Sequence, residues 1–253
     1  MTWKAIGASV KGTSHTASGK DCEDAIQYCI ATTPTGDEVL ICCGSDGAGS
    51  AAFAGEASKF CVQYALDAMK NWIASGTTVG EPEIYLIVEQ LYEALAKEAE
   101  AKACELNEFS CTLLGAVLTG DRSVFFQIGD GAIVRNDGSD FYLPVWWPDN
   151  GEYQNTTSFL IDDINFKSLN ITVLEERVNE IALFTDGLQM LALNIEKQQV
   201  HQPFFTDLFR YLRMAAEPEH MTVLQRKLVE YLDSRIINDR TDDDKTLFMA
   251  TRY

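Results

Sequence analysis

Short apolar runs and stretches of helical period alternate along the chain in blocks. Strand-like runs rich in Val, Ile, Leu and Phe fall at 5–10, 25–31, 39–43, 112–118, 124–128, 132–135, 181–184 and 246–250. Between the third and fourth runs, Phe53, Ala57, Phe60, Cys61, Tyr64 and Ala68 share one helical face, and Ile84, Ile87, Val88, Leu91, Leu95 and Ala99 share another. Before the last run, Phe205, Leu208, Phe209 and Leu212 repeat at helical spacing, as do Leu224, Leu228, Tyr231 and Leu232. Strands, two helices, strands, two helices and a strand suit two mainly antiparallel sheets packed face to face with helices outside. The expected class is α+β, a four-layer αββα sandwich forming one domain over residues 1–253. The least regular segment, 137–179, reads as a long surface loop or flap. Its Trp146-Trp147 pair and the run 155–160 are candidates for a recognition surface, although an aromatic pair is more often local core.

Charge then removes function classes. Acids outnumber bases 38 to 20, for a net charge of −18. A nucleic-acid partner needs Lys and Arg to displace counterions, so none is expected. No apolar run approaches the ~20 residues that span a bilayer. Met1-Thr2-Trp3-Lys4 leads directly into a strand pattern and not into a secretion signal, so the expected setting is the cytoplasm, away from membranes. Seven cysteines, odd in number and mostly inside apolar runs, read as reduced core thiols. None forms a Cys-x-x-Cys pair, and none has an arginine six residues later to cradle a phosphate.

Three strand patterns run into an Asp-Gly pair, at Asp46-Gly47, Asp130-Gly131 and Asp186-Gly187. Asp-Gly between strands is a strong hairpin signal, because a type I′ turn needs positive φ at both central residues. That reading suits Asp130, which strand-like residues follow at once. It fails for Asp46 and Asp186, which helical patterns follow. A carboxylate fixed where a buried strand ends is a natural ligand for a hard dication such as Mg²⁺ or Mn²⁺. Two such ions clamping one phosphoryl group need about four acids. Glu23-Asp24 and Asp242-Asp243-Asp244, each flanking a strand, can supply the rest, though either alone reads as a solvated turn.

Five segments in this order resemble the metal-dependent serine/threonine protein phosphatases of type 2C, in their shorter bacterial-type branch. They are Lys20-Asp21-Cys22-Glu23-Asp24-Ala25; Ser45-Asp46-Gly47-Ala48-Gly49 with Gly55-Glu56-Ala57-Ser58; Ser110-Cys111-Thr112-Leu113 with Gly129-Asp130-Gly131; Phe184-Thr185-Asp186-Gly187-Leu188; and Asp242-Asp243-Asp244-Lys245-Thr246. The resemblance implies hydrolysis of phosphoserine and phosphothreonine on a phosphorylated protein by a water or hydroxide bridging two Mn²⁺ or Mg²⁺ ions. Asp46 would bridge both ions, with the Gly47 carbonyl and Glu23 serving one ion and Asp186 and Asp243 the other. Asp24 would hydrogen-bond a metal-bound water, and Asp130 would help hold the third ion of some members.

Departures from the family pattern are specific. Ala48 replaces a proposed acid histidine, Met190 replaces an acid associated with the third ion, and Gly19 replaces the phosphate-binding arginine, for which His15 or Lys20 would substitute. These losses leave two alternatives open: a weakly active phosphopeptide- or metal-binding module on the same fold, or a hydrolase of small phosphate esters. The physiological substrate, the opposing kinase and the oligomeric state are not encoded in any motif.

Overall fold

The computed structural model describes residues 2–139, 141–148 and 157–252. In chain order the elements are β1 (Lys4–Val10), α1 (Thr13–Ser18), β2 (Ala25–Thr32), β3 (Glu38–Ser45), α2 (Ala54–Ala74) and α3 (Glu81–Lys102), then β4 (Leu113–Leu118), β5 (Ser123–Ile128), β6 (Ala132–Asn136), β7 (Leu143–Pro144), β8 (Asn170–Leu174) and β9 (Glu180–Phe184). The chain continues with α4 (Gln189–Ala192), a small hairpin of β10 (Leu193–Asn194) and β11 (Gln199–Val200), α5 (Gln202–Met214), α6 (Pro218–Leu232), α7 (Arg235–Asn238) and β12 (Lys245–Thr251). All eight strands and all four long helices expected from the pattern are present.

Two antiparallel five-stranded sheets result, one ordered β1-β12-β9-β6-β7 and the other β2-β3-β4-β5-β8. Side-chain alternation explains why the central strands read as unbroken apolar runs. On β3, Leu40 and Cys42 face the opposing sheet, while Ile41 and Cys43 face α2 and α3. On β9, Ile181 and Leu183 point between the sheets and Ala182 and Phe184 toward α5 and α6. The expected αββα sandwich is thus the observed one.

Two local features differ from the expectation, and a third follows its blander reading. The segment 137–179 is not loop throughout, because β7 pairs with β6 and β8 pairs with β5 at the edges of the two sheets. Trp146 and Trp147 are partly buried against two different cores, the bland reading of that pair, and residues 155 and 156 of the other suggested recognition run lie outside the described residues. Asp130-Gly131 is not a hairpin turn, since β5 and β6 belong to different sheets and the dipeptide carries the chain across.

Candidate metal centre

Antiparallel register brings the acidic motifs to one edge of the sandwich. In the second sheet, Ala25 at the start of β2 pairs with Ser45 at the end of β3, and Leu113 at the start of β4 pairs with Ile128 at the end of β5. In the first, Val10 pairs with Lys245, and Phe184 lies between Leu247 and Ala132. Glu23-Asp24, Asp46, Asp130, Asp186 and Asp242–Asp244 are the residues just beyond these ends, so strand geometry alone gathers them.

The two Asp-Gly glycines of the centre are there for close approach and not for positive φ, which neither adopts. A Cβ on Gly47 would stand 2.8 Å from the Ala54 carbonyl at the start of α2, and one on Gly187 would stand 2.0 Å from the Asp244 carbonyl oxygen. Either substitution would push a ligand-bearing segment away.

Local hydrogen bonds fix each acid. Asp46 donates its backbone N–H to Thr112 Oγ1 at 2.8 Å, and its carbonyl accepts the Thr112 N–H at 2.8 Å. Asp24 is buried, and its Oδ2 accepts hydroxyl protons from Thr185 and Thr246, each at 2.8 Å. Asp130 accepts from Thr157 Oγ1 at 2.5 Å, and its carbonyl accepts from the Gln189 amide. Asp243 is exposed, with Oδ1 accepting the Asp244 N–H at 2.8 Å. Asp244 is buried and accepts the N–H of Gly12 on Oδ1 and of Glu23 on Oδ2, both at 2.6 Å, together with His15 Nδ1 at 2.9 Å. Lys20 Nζ lies 3.2 Å from Glu23 Oε1 and donates to the Gly49 carbonyl at 2.6 Å, while Ser58 donates to the Glu23 carbonyl.

Electrostatically the carboxylates outweigh the cations at this edge, where Lys20 pairs with Glu23. Burial, then the charges of Asp24 and Asp186, hold the Asp46 carboxyl well above the ordinary range. Burial and the Asp130 charge push Asp186 up to about 6. Burial pushes Asp24 up to about 7 against the pull of its two threonine donors, and partial desolvation of its carboxyl raises Asp243 although the residue as a whole is exposed. Burial also pushes the Cys22 thiol up to about 12, so it is no nucleophile at neutral pH. All seven thiols are free, as expected.

Three buried carboxylate oxygens, Glu23 Oε2, Asp24 Oδ1 and Asp186 Oδ1, accept no hydrogen bond. Buried acceptors left bare are costly, and a bound cation satisfies several at once. Among the described residues no three His, Cys, Asp or Glu side chains already meet as ligands of one ion. The donor set, all oxygen and mostly carboxylate, fits Mg²⁺ or Mn²⁺.

Every acid singled out in the sequence reaches this edge. Asp244, Thr185 and Thr246 were not singled out as site residues, although the closing motif contains two of them. Within a triplet of identical aspartates, only the phase of β12 tells which side chain turns inward.

A sandwich of paired sheets with a cation-seeking carboxylate edge describes a divalent-metal-dependent phosphatase. The family model for protein phosphatase 2C matches residues 11–233. Serine/threonine-protein phosphatase 3 of Escherichia coli (strain K12) is 37% identical over 252 residues, covering 99% of this chain and 98% of its own. The fold superposes on the serine/threonine phosphatase of S. agalactiae with a TM-score of 0.65, 13% identity and 100% of both chains covered. It also superposes on the catalytic domain of the serine/threonine protein phosphatase PstP in complex with two manganese ions, with a TM-score of 0.61, 16% identity and 98% and 97% covered. The chain belongs to the protein phosphatase 2C family and is a serine/threonine protein phosphatase.

Proposed function

We propose that this phosphatase acts through two divalent ions, Mn²⁺ or Mg²⁺, held at the acidic edge. Asp46 would contribute to both, Glu23 and the Gly47 carbonyl would serve one, and Asp186 and Asp243 would serve the other. The observation that carries this reading is the set of buried oxygens on Glu23, Asp24 and Asp186 that accept no hydrogen bond from the chain. A fold relative carrying two manganese ions supports it.

Ions bound there supply the charge that lowers the pKa of an attacking water and neutralises the phosphoryl group. The chain's own residues do the rest. Asp24, anchored on one side by Thr185 and Thr246, keeps Oδ1 open to accept a hydrogen bond from a water at the site. Lys20, with a side chain 39% exposed, is placed to leave Glu23 and meet a substrate phosphate where the family's arginine is missing. Asp130 lies beside Asp186 and offers a carboxyl toward a third ion, but exposed Met190 adds no ligand, so two ions are the working set.

The substrate is a phosphorylated protein, the acting unit is one domain spanning 1–253, and the reducing cytoplasm suits its seven free thiols. No helix among the described residues is long and apolar enough to cross a membrane.

The test is phosphate release from phosphoserine and phosphothreonine peptides with Mn²⁺, with Mg²⁺ and with EDTA, repeated for Asp46→Asn and Asp186→Asn. Activity that needs metal and collapses in both variants is expected. A metal-independent rate, or full activity in both variants, would sink the assignment.

A further inference from the structure

Beside the acidic edge, a cleft of about 530 Å³ opens between the first strands of the two sheets. Strand β1 lines one wall and Ala25, Ile26 and Gln27 of β2 the other, with Asp24 at the end nearest the metal centre. Both strands are outer members of their sheets, since β1 pairs only with β12 and β2 only with β3. Where α6 covers β1, the Gln225 amide accepts the Gly7 N–H at 3.2 Å and donates to the Gly7 carbonyl at 2.7 Å. Among the described residues no side chain caps the backbone of β2 in this way. Its outward N–H and C=O groups form the kind of open edge along which an extended peptide lies.

The charge that the cleft offers is opposite to that of the chain. Acids outnumber bases 38 to 20 overall, yet Lys11, just past β1, and Lys59, on α2, both line this cleft. Lys59 is exposed and makes no ion pair among the described residues. Lys11 meets Asp21 at 3.1 Å, but the Asp21 side chain is 95% exposed, and a pair so open to water is weak and exchanges readily. The remaining acid, Asp24, is buried, with Oδ2 held by Thr185 and Thr246. The open charge of the cleft is therefore positive.

Position sets the occupant. Strand β2 advances about 3.3 Å per residue, so Ala25–Gln27 lie within about 10 Å of Asp24. An extended chain with its phosphorylated residue at the metal centre carries side chains roughly two to four positions away over this stretch.

We propose that this cleft is the subsite for residues flanking the phosphorylated serine or threonine, and that Lys59 and Lys11 select an acidic side chain there. This rests on the metal-phosphatase reading above. The lysines act on substrate binding and not on the chemical step, so their effect belongs in KM.

The test is phosphate release by the full chain loaded with Mn²⁺ from phosphoserine peptides carrying aspartate, asparagine or lysine at those flanking positions on either side. Wild type is expected to favour aspartate over asparagine by about threefold to fivefold in kcat/KM, through KM, the size of an exposed ion pair. The net charge of −18 alone would favour the lysine peptides, so the order separates the local cleft from the protein's overall field. Lys59→Glu is expected to reverse the order and Lys11→Gln to reduce it. Hydrolysis of p-nitrophenyl phosphate, which has no flanking residues, should be unchanged in both. Wild type with equal KM for all peptides, or with a preference for lysine, would overturn the subsite and leave the metal-phosphatase reading standing, a result that needs no variant to fold. An aspartate preference undiminished in Lys59→Glu would also overturn it. Absence of Mn²⁺-dependent release from every peptide and from p-nitrophenyl phosphate would overturn both readings.

Discussion

Glu180 opens β9 and Asp186 follows its last residue by two, so one strand places carboxyls at opposite ends of the sandwich. At the Glu180 end the protein supplies its own answer to a buried charge. Arg213 forks onto both oxygens at 2.8 and 2.5 Å, Tyr142 donates at 2.7 Å and Thr251 at 2.9 Å, and no oxygen is left bare. At the Asp186 end, three acids keep unpartnered buried oxygens, and after burial the charges of Asp24 and Asp186 raise Asp46 while that of Asp130 raises Asp186. The same fold can satisfy a buried carboxylate completely, so the bare edge is a site shaped for something from outside. The first arrangement serves the fold; the second serves chemistry.

Breaking the Glu180 end should give the largest effect on stability and the least on catalysis. Glu180→Ala removes the buried carboxylate that Arg213, Tyr142 and Thr251 share, and loss should be about 3 kcal/mol, the low end for breaking a buried pair because the guanidinium keeps some solvent. Urea denaturation would show it, while the metal-dependent rate per folded molecule stays near wild type. Asp46→Asn should do the reverse, lowering kcat/KM at least about 100-fold, or about 2.7 kcal/mol in the barrier. Its metal-free melting temperature should not fall, because one repelling charge is gone.

A smaller effect sits where the two roles meet. Thr185→Val removes a hydroxyl donor to Asp24, and a loss of about 1.5 kcal/mol is expected for a hydrogen bond to a carboxylate. Denaturation would read the stability term, and Mn²⁺ titration should show weaker binding as Asp24 loses its anchor. The smallest effect should come from thiol chemistry. Iodoacetamide at neutral pH should leave activity unchanged, since burial holds Cys22, Cys42 and Cys43 in the unreactive thiol form.

The parts of this molecule that could be read in advance are those whose physics is local. Strands β3, β4, β5 and β9 bury both faces and so announce themselves as apolar runs, and α2 and α3 carry unbroken helical stripes. Strand β8 escaped notice because it is a five-residue edge strand, half-buried, with only Ile171 and Val173 turned to the core beneath α3. Asp46 and Asp186 were legible as ligands from the strands before them. The reason for the glycines beside them was not, since it lies in close approaches to Ala54 and Asp244 that no local pattern encodes. The contact of His15 with Asp244 is the extreme case, spanning 229 residues, with the β1–β12 pairing and the Gly12 and Ser14 hydrogen bonds bringing the two together.

The central claim is that the acidic edge opposes folding until cations bind it. Urea denaturation of the wild type and of Asp186→Asn, each in EDTA and in saturating Mn²⁺, tests this most directly. The account predicts that Mn²⁺ raises the wild-type midpoint, by about 2.7 kcal/mol at a hundredfold excess over Kd. It also predicts that the variant is at least as stable as wild type in EDTA and gains far less from the ion. A wild-type midpoint that ignores Mn²⁺, or a variant less stable than wild type in EDTA, would contradict it.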